Sequence, residues 1–236
     1  MNKIKSKSNL NLKSKLRSTI LSATAFIGLF PLIPQPVNAQ TISPTTSFWN
    51  KIFKPSRRDP EPPVKPRKGT ARPGKPICLI SPDAPAQTRI IWNTKPFFLW
   101  KGDIEKIAVG IPGSKKYLKT QIVTGSQKAN YTGRPLEPGK TYRWLIFLSD
   151  LDTASYTMFV PFKIMSAPQR NRIGAELRLI EKLQKNQGVE KIALTKAKYF
   201  AEKGLWSDAL QQAYSVSNPS PELSQMIEGI PNRLCK

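Results

Sequence analysis

The stretch Leu136-Glu-Pro-Gly-Lys-Thr-Tyr-Arg-Trp-Leu-Ile-Phe147 restricts the fold more than any other part of the chain. Pro138-Gly139 is a turn pair, because proline presets φ near about −65° and glycine accepts positive φ without steric cost. Directly after it, Tyr142, Trp144, Ile146 and Leu148 take alternate positions, so one face of an extended strand is apolar. Such a face is stable only when a second layer covers it. The segment is therefore predicted as the central strand of a small β-sandwich.

The neighbouring sequence supplies the other strands. Short apolar runs occur at Ile77–Ser81, Arg89–Trp92, Phe97–Lys101, Lys106–Ile111, Tyr117–Val123, Ala129–Thr132, Thr141–Leu148 and Tyr156–Ile164. Turn formers separate them, among them Ser81-Pro-Asp, Lys101-Gly-Asp, Pro112-Gly-Ser and Gly125-Ser. Strands at intervals of about 8–12 residues point to a two-sheet, all-β unit, and no helix-length apolar pattern interrupts them to suggest βαβ crossovers. The pattern Leu136-x-Pro138-Gly139-x-x-Tyr142 is similar to the approach to the penultimate strand of fibronectin type III and related immunoglobulin-like sandwiches. That resemblance implies a tyrosine corner at Tyr142, its hydroxyl bonding back to upstream backbone. It also makes Trp100 resemble the core tryptophan of an early strand. Such a likeness implies a fold and carries no function.

From Pro168 the apolar period becomes helical. Ile173, Leu177, Ile180 and Leu183 mark one helix, and Ala193, Ala197 and Phe200 a second that ends at Gly204. Trp206, Ala209, Leu210, Ala213 and Tyr214 mark a third. Ser220-Pro221 supplies the N-cap and first-turn proline of a fourth, with Leu223, Met226, Ile227 and Ile230 on one face. Phe200-x-x-x-Gly204-x-x-x-x-Ala209 with Pro221 resembles the middle and end of a tetratricopeptide unit, without its early Trp-Leu-Gly positions. The helices are thus either a cap on the sandwich or a peptide-binding groove. Residues 77–236 as a whole resemble a group of uncharacterised exported cyanobacterial proteins, through Gly139-Lys-Thr-Tyr-x-Trp144 and Gly204-Leu-Trp-Ser-Asp-Ala-Leu210. The resemblance implies a place in the cell envelope and brings no activity with it. The expected class is α+β in two parts: an immunoglobulin/fibronectin-like β-sandwich over 77–166, then three to four helices over 167–236.

The N-terminal third has a different composition. Lys3, Lys5, Lys7, Lys13, Lys15 and Arg17 precede an apolar run from about Ile20 to Ile33, and Val37-Asn-Ala39 offers small residues at a cleavage site. Residues 1–39 are read as a secretory signal, since the run is shorter than the roughly 18–20 residues a membrane span requires. The predicted destination is the periplasm or extracellular envelope. Residues 40–76 hold prolines and nine basic side chains against two acidic ones, a solvated linker that is either a basic tether or a passive spacer. Within it Phe48, Trp49, Ile52 and Phe53 share one face of a short helical pattern, and Arg57 and Arg58 follow. Such a group suits a membrane interface with anionic headgroups, or a latch onto the folded domain.

Chemistry is bounded chiefly by what the chain lacks. It has no histidine, so a Ser-His-Asp triad, a Cys-His pair and His-ligated metal are excluded. Gly139-Lys140-Thr141 is no P-loop, because Gly133 has the wrong spacing and a strand follows. Asp150 and Asp152 read as a solvated hairpin tip. No cofactor or metal site is expected, and no enzyme. Cys78 and Cys235 are either disulfide-bonded or buried thiols, and an oxidising envelope favours the bond. The formal charge of +23 falls to about +17 without residues 1–39, from +7 in 40–76 and +10 in 77–236. A charge of this size attracts anions, yet no nucleic-acid motif is present and export argues against a physiological nucleic-acid partner. The expectation is a non-catalytic envelope protein that contacts other proteins or organises an assembly. The alternative is a basic module that binds anionic envelope polymer or a membrane surface.

Overall fold

The computed structural model describes residues 77–83, 89–148 and 158–235, all within one compact unit. Among the described residues it is an α+β arrangement in which the strands precede the helices. The strands are β1 (Cys78–Ser81), β2 (Ile90–Ile91), β3 (Phe97–Lys101), β4 (Lys106–Gly110), β5 (Tyr117–Ile122), β6 (Lys128–Asn130), β7 (Thr141–Phe147) and β8 (Met158–Ile164). The helices are α1 (Ala167–Leu183), α2 (Val189–Glu202), α3 (Trp206–Tyr214) and α4 (Pro221–Leu234).

Two sheets form, one of three strands in the order β1-β3-β6 and one of five in the order β2-β8-β7-β4-β5. All pairings are antiparallel except the short parallel contact of β2 with β8. Alternate residues of both sheets meet in one apolar cluster: Leu79, Phe98 and Trp100 from the smaller sheet, with Ile107, Val109, Tyr142, Trp144, Ile146, Val160 and Phe162 from the larger. Phe98 stacks on Trp144 with ring centroids 4.9 Å apart, and Trp100 lies 6.2 Å from the same ring. The alternation read in the sequence thus does its work in β7, the middle strand of five, where Tyr142, Trp144 and Ile146 face this core.

The smaller sheet is buried on its other face too. Cys78, Ile80, Phe97 and Leu99 pack against Leu210 of α3 and Ile230 of α4. β1 and β3 therefore read as nearly continuous apolar runs, as strands covered on both faces do. The helices form their own cluster around Phe200, Ala197, Ala209 and Ala213, joined by Ile90, Trp92 and Met165 from the strand region. Order in space is five-stranded sheet, three-stranded sheet, helices. On its other face the larger sheet carries a separate buried cluster of Ala108, Leu145 and Phe147.

One expectation about the helices needs correction. Leu183, expected on the buried face of α1, is 77 % exposed. Only Ile173 and Leu177 of α1 are buried, so the C-terminal turn continues the apolar period beyond the surface that α2 offers. The α1 carboxylates Glu176 and Glu181 cross to α2. Glu176 accepts a bond from the Tyr199 hydroxyl at 2.6 Å and pairs with Lys203 at 3.2 Å, while Glu181 pairs with Lys196.

The turn before β7 has the expected form. Gly139 sits at φ +80°, Lys140 N–H donates to Glu137 O at 3.4 Å, and a strand follows. The buried Tyr142 hydroxyl accepts a bond from Glu137 N–H at 2.9 Å, bracing the turn against the strand it feeds. Tyr142→Phe removes only that acceptor. Because Glu137 is exposed, its N–H can turn to water, so the expected loss is about 1 kcal/mol. A urea midpoint lowered at unchanged slope would register it; an unchanged midpoint would show the brace to be energetically idle.

Candidate interaction edge

Four buried polar side chains, Ser81, Asp83, Ser207 and Asp208, are found among the described residues. Each has a structural partner. Ser81 Oγ donates to Phe97 O at 2.9 Å and lies 2.8 Å from Ser207 Oγ, and Asp83 pairs with Arg89 at 2.7 Å. Asp208, in the first turn of α3, accepts the backbone N–H groups of Trp92 and Asn93, one on each carboxylate oxygen, both at 2.8 Å. Burial pushes its carboxyl up to about 7, opposed by those two donors and by Arg170. Arg170 closes the same segment, donating from Nε to Trp92 O at 2.6 Å while Trp92 Nε1 donates to Arg170 O at 3.1 Å. Gln211 adds bonds to Asn93 and to Lys95 O. With the Asp208 carboxylate buried at its centre and half-buried partners around it, the cluster is a clamp that fixes the segment after β2 onto α1 and α3.

The largely exposed strand β5 offers something different. This strand lies at the end of the five-stranded sheet. Its ladder with β4 pairs Lys106 with Ile122, Ile107 with Gln121, Ala108 with Thr120 and Val109 with Lys119. Val123 N–H donates to Glu105 O at 2.8 Å, which sets the parity. In an antiparallel pair alternate residues bond inward, so Gln121 and Lys119 bond to β4 while the N–H and C=O of Thr120 and Ile122 point away from the sheet. Ile122 is 70 % exposed. A bulge between Val109 and Gly110 bends the ladder near Leu118, and Leu118, Tyr117 and Ile111 are exposed as well.

This edge is held in place. Ile111-Pro-Gly-Ser114 closes with Ser114 N–H on Ile111 O at 3.1 Å and Gly113 at φ +79°, the positive value that the third residue of a type II turn requires. Arg143 of β7 reaches over to donate to Ile111 O and Ser114 O at 3.2 and 3.3 Å. At the other end Gln121 spans the two sheets, donating to Asn130 O at 3.0 Å and accepting from Thr132 N–H at 3.1 Å. Between Lys106 and Ile122 the chain carries four lysines, at 106, 115, 116 and 119, and no acidic residue. The result is a fixed, partly apolar, basic strand edge with outward backbone groups.

Of the residues singled out in the sequence, Cys78 and Cys235 are joined in a disulfide, their Cα atoms 5.9 Å apart. Tyr142 occupies the braced turn described above. Phe48, Trp49, Ile52, Phe53, Arg57 and Arg58 lie outside the described residues, as do Asp150 and Asp152. Among the described residues no group of three carboxylate or cysteine side chains could hold a metal ion, and no helix is long and apolar enough to cross a membrane. Sequence reading missed both Asp208 and the β5 edge. The available signal for the edge was the acid-free run Lys115-Lys-Tyr-Leu-Lys-Thr-Gln-Ile122, and only the strand order turns that run into a surface. Compared with protein-family models, curated proteins and solved structures, the chain matches none.

Proposed function

We propose that this chain is a non-catalytic, exported envelope protein that works by contact with another protein, and that the β5 edge is where contact is made. In this reading the two sheets are an immunoglobulin-like sandwich of the fibronectin type III kind, and the tetratricopeptide-like helices are its structural cap. The single observation that carries the reading is the open edge: outward backbone groups at Thr120 and Ile122 beside exposed Ile111, Tyr117 and Leu118. An exposed strand edge is a template for another chain, and the lysines and bulge of this one restrict which chains can pair with it. The disulfide supports export, because such bonds persist in oxidising compartments. A second reading, contact with anionic envelope polymer or membrane, is favoured by the lysines at 115, 116 and 119.

One variant separates the two readings. The oxidised protein and its Lys115→Glu/Lys116→Glu/Lys119→Glu form are each used for pull-down from an envelope extract and for sedimentation with anionic vesicles in low and high salt. The expected result is a defined protein retained by the wild type and lost, at least tenfold, with the triple variant, with little vesicle binding at physiological salt. Vesicle binding that fades with salt, with no protein recovered, would favour the second reading, since surface attraction weakens as the Debye length shrinks. Equal recovery by both forms would remove these three lysines from either role.

A further inference from the structure

We infer that the β5 edge takes an acidic, extended segment of its partner as a sixth strand of the larger sheet. This rests on the interaction reading above and names the chemistry of the occupant. The edge presents two residues, Thr120 and Ile122, whose N–H and C=O groups both face outward, so a partner strand can form up to four main-chain bonds there. Six residues of β5 give about 20 Å of edge. Gln121 and Arg143 already hold the strand and its hairpin tip, so little ordering is required of this side on binding.

Charge selects among the occupants. A second copy brings no carboxylate between residues 106 and 122 and adds its own four lysines there, and the chain's own 40–76 segment is itself +7. Both are like-charged partners, and like charges directly opposite in a sheet are destabilising. Lys119 sharpens this discrimination. Paired with Val109, whose side chain is in the core, it puts a cation on the inward side of an edge strand, a placement that deters pairing between copies. A strand with carboxylates opposite these lysines meets the reverse situation. Glu105, the partner of Val123, lies at the far end, and Asp103 is two residues from it, so the acidic residues of the occupant belong near the hairpin tip and apolar ones near Ile122.

The test is a titration of the oxidised, isotope-labelled protein with two blocked nine-residue peptides, one alternating valine with glutamate and one alternating valine with lysine. Amide resonances of Thr120 and Ile122 are followed together with their hydrogen exchange. The glutamate peptide is expected to shift both amides and slow their exchange at least tenfold, and the lysine peptide to bind at least tenfold more weakly. Thr120→Pro should abolish binding while leaving the fold intact, because that N–H takes no part in the β4 ladder. Lys119→Glu, which leaves the backbone untouched, should reverse the preference between the peptides. Equal binding of the two peptides at these amides would overturn the acidic class and leave the edge as the contact surface. No shift with either would overturn the edge itself. A dimer seen by sedimentation and lost in Thr120→Pro would assign the edge to a second copy, and a shift produced only by anionic phospholipid vesicles would assign it to a membrane; either would overturn the inference.

Discussion

Cleaving the Cys78–Cys235 bond is expected to lower the stability of the folded unit by about 3–5 kcal/mol, near the upper end of what one disulfide contributes. The bond joins residues 157 apart in sequence, the first residue of β1 and the residue that ends α4. A cross-link of that span removes much of the freedom of the unfolded chain, and chain-entropy reasoning gives about 5 kcal/mol for loops of this size. Without it, α4 keeps Leu223 and Ile230 in the interior, the Tyr214 hydroxyl on Ile227 O at 2.7 Å, and an N-cap in which Ser220 accepts from Leu223 N–H while Glu190 of α2 grips both Ser220 groups. These anchors lie at the start and middle of the helix. Its last turn is tied to β1 by the bond and to β3 by Lys101 Nζ, which donates to Asn232 Oδ1 at 2.9 Å. Thermal unfolding of the oxidised protein against the Cys78→Ala/Cys235→Ala pair should therefore show a midpoint lowered by about 10 °C. Hydrogen exchange should accelerate first in the C-terminal turn of α4, with β7 keeping its protection. A difference below about 1 kcal/mol would mean that the packing of α3 and α4 on β1 and β3 alone holds the chain ends together.

The strands were legible because local chemistry and tertiary structure agree there. Phe97–Lys101 has the bounds its apolar run suggests, and Thr141–Phe147 stops one residue short of the predicted end. The run Arg89–Trp92 shows where agreement fails. It shrinks to Ile90–Ile91 because the next two amides, of Trp92 and Asn93, donate to Asp208 in place of a neighbouring strand. Nothing local announces this. An acidic residue in the first turn of a helix is ordinary, since it complements the positive end of the helix dipole. Leu183 fails for a related reason: the helical period records which residues share a face, and the length of the facing helix decides how far that face is covered. The β5 edge belongs to the same category. Tyr117–Ile122 reads as a strand from composition alone, but edge or interior is a property of strand order, and strand order is set by pairings far apart in sequence.

Asp208→Ala is expected to destabilise the protein by about 2–4 kcal/mol, the cost of leaving two inward N–H donors without an acceptor. No water replaces the carboxyl without opening the seam, because the side chain is enclosed where α1, α3 and the segment after β2 meet. The effect should also depend on pH. Burial raises the Asp208 carboxyl to about 7 in the fold, against 3.8 for the free side chain. Between those values the folded state binds the proton more tightly than the unfolded chain, so this group's contribution is complete below about pH 4 and declines as pH rises to about 7. The decline is bounded at about 1.4 kcal/mol per pH unit. Asn at this position keeps one acceptor and does not titrate. Denaturant unfolding of the wild type and Asp208→Asn from pH 4 to 8 should thus show the wild type losing ground steadily up to about pH 7 and holding a constant offset above it. Parallel curves across the whole range would mean that the two N–H donors and Arg170 outweigh burial, and that the carboxylate is already ionised in the fold at pH 4. The comparison therefore decides whether the clamp between sheets and helices is held by a neutral acid or by a buried charge.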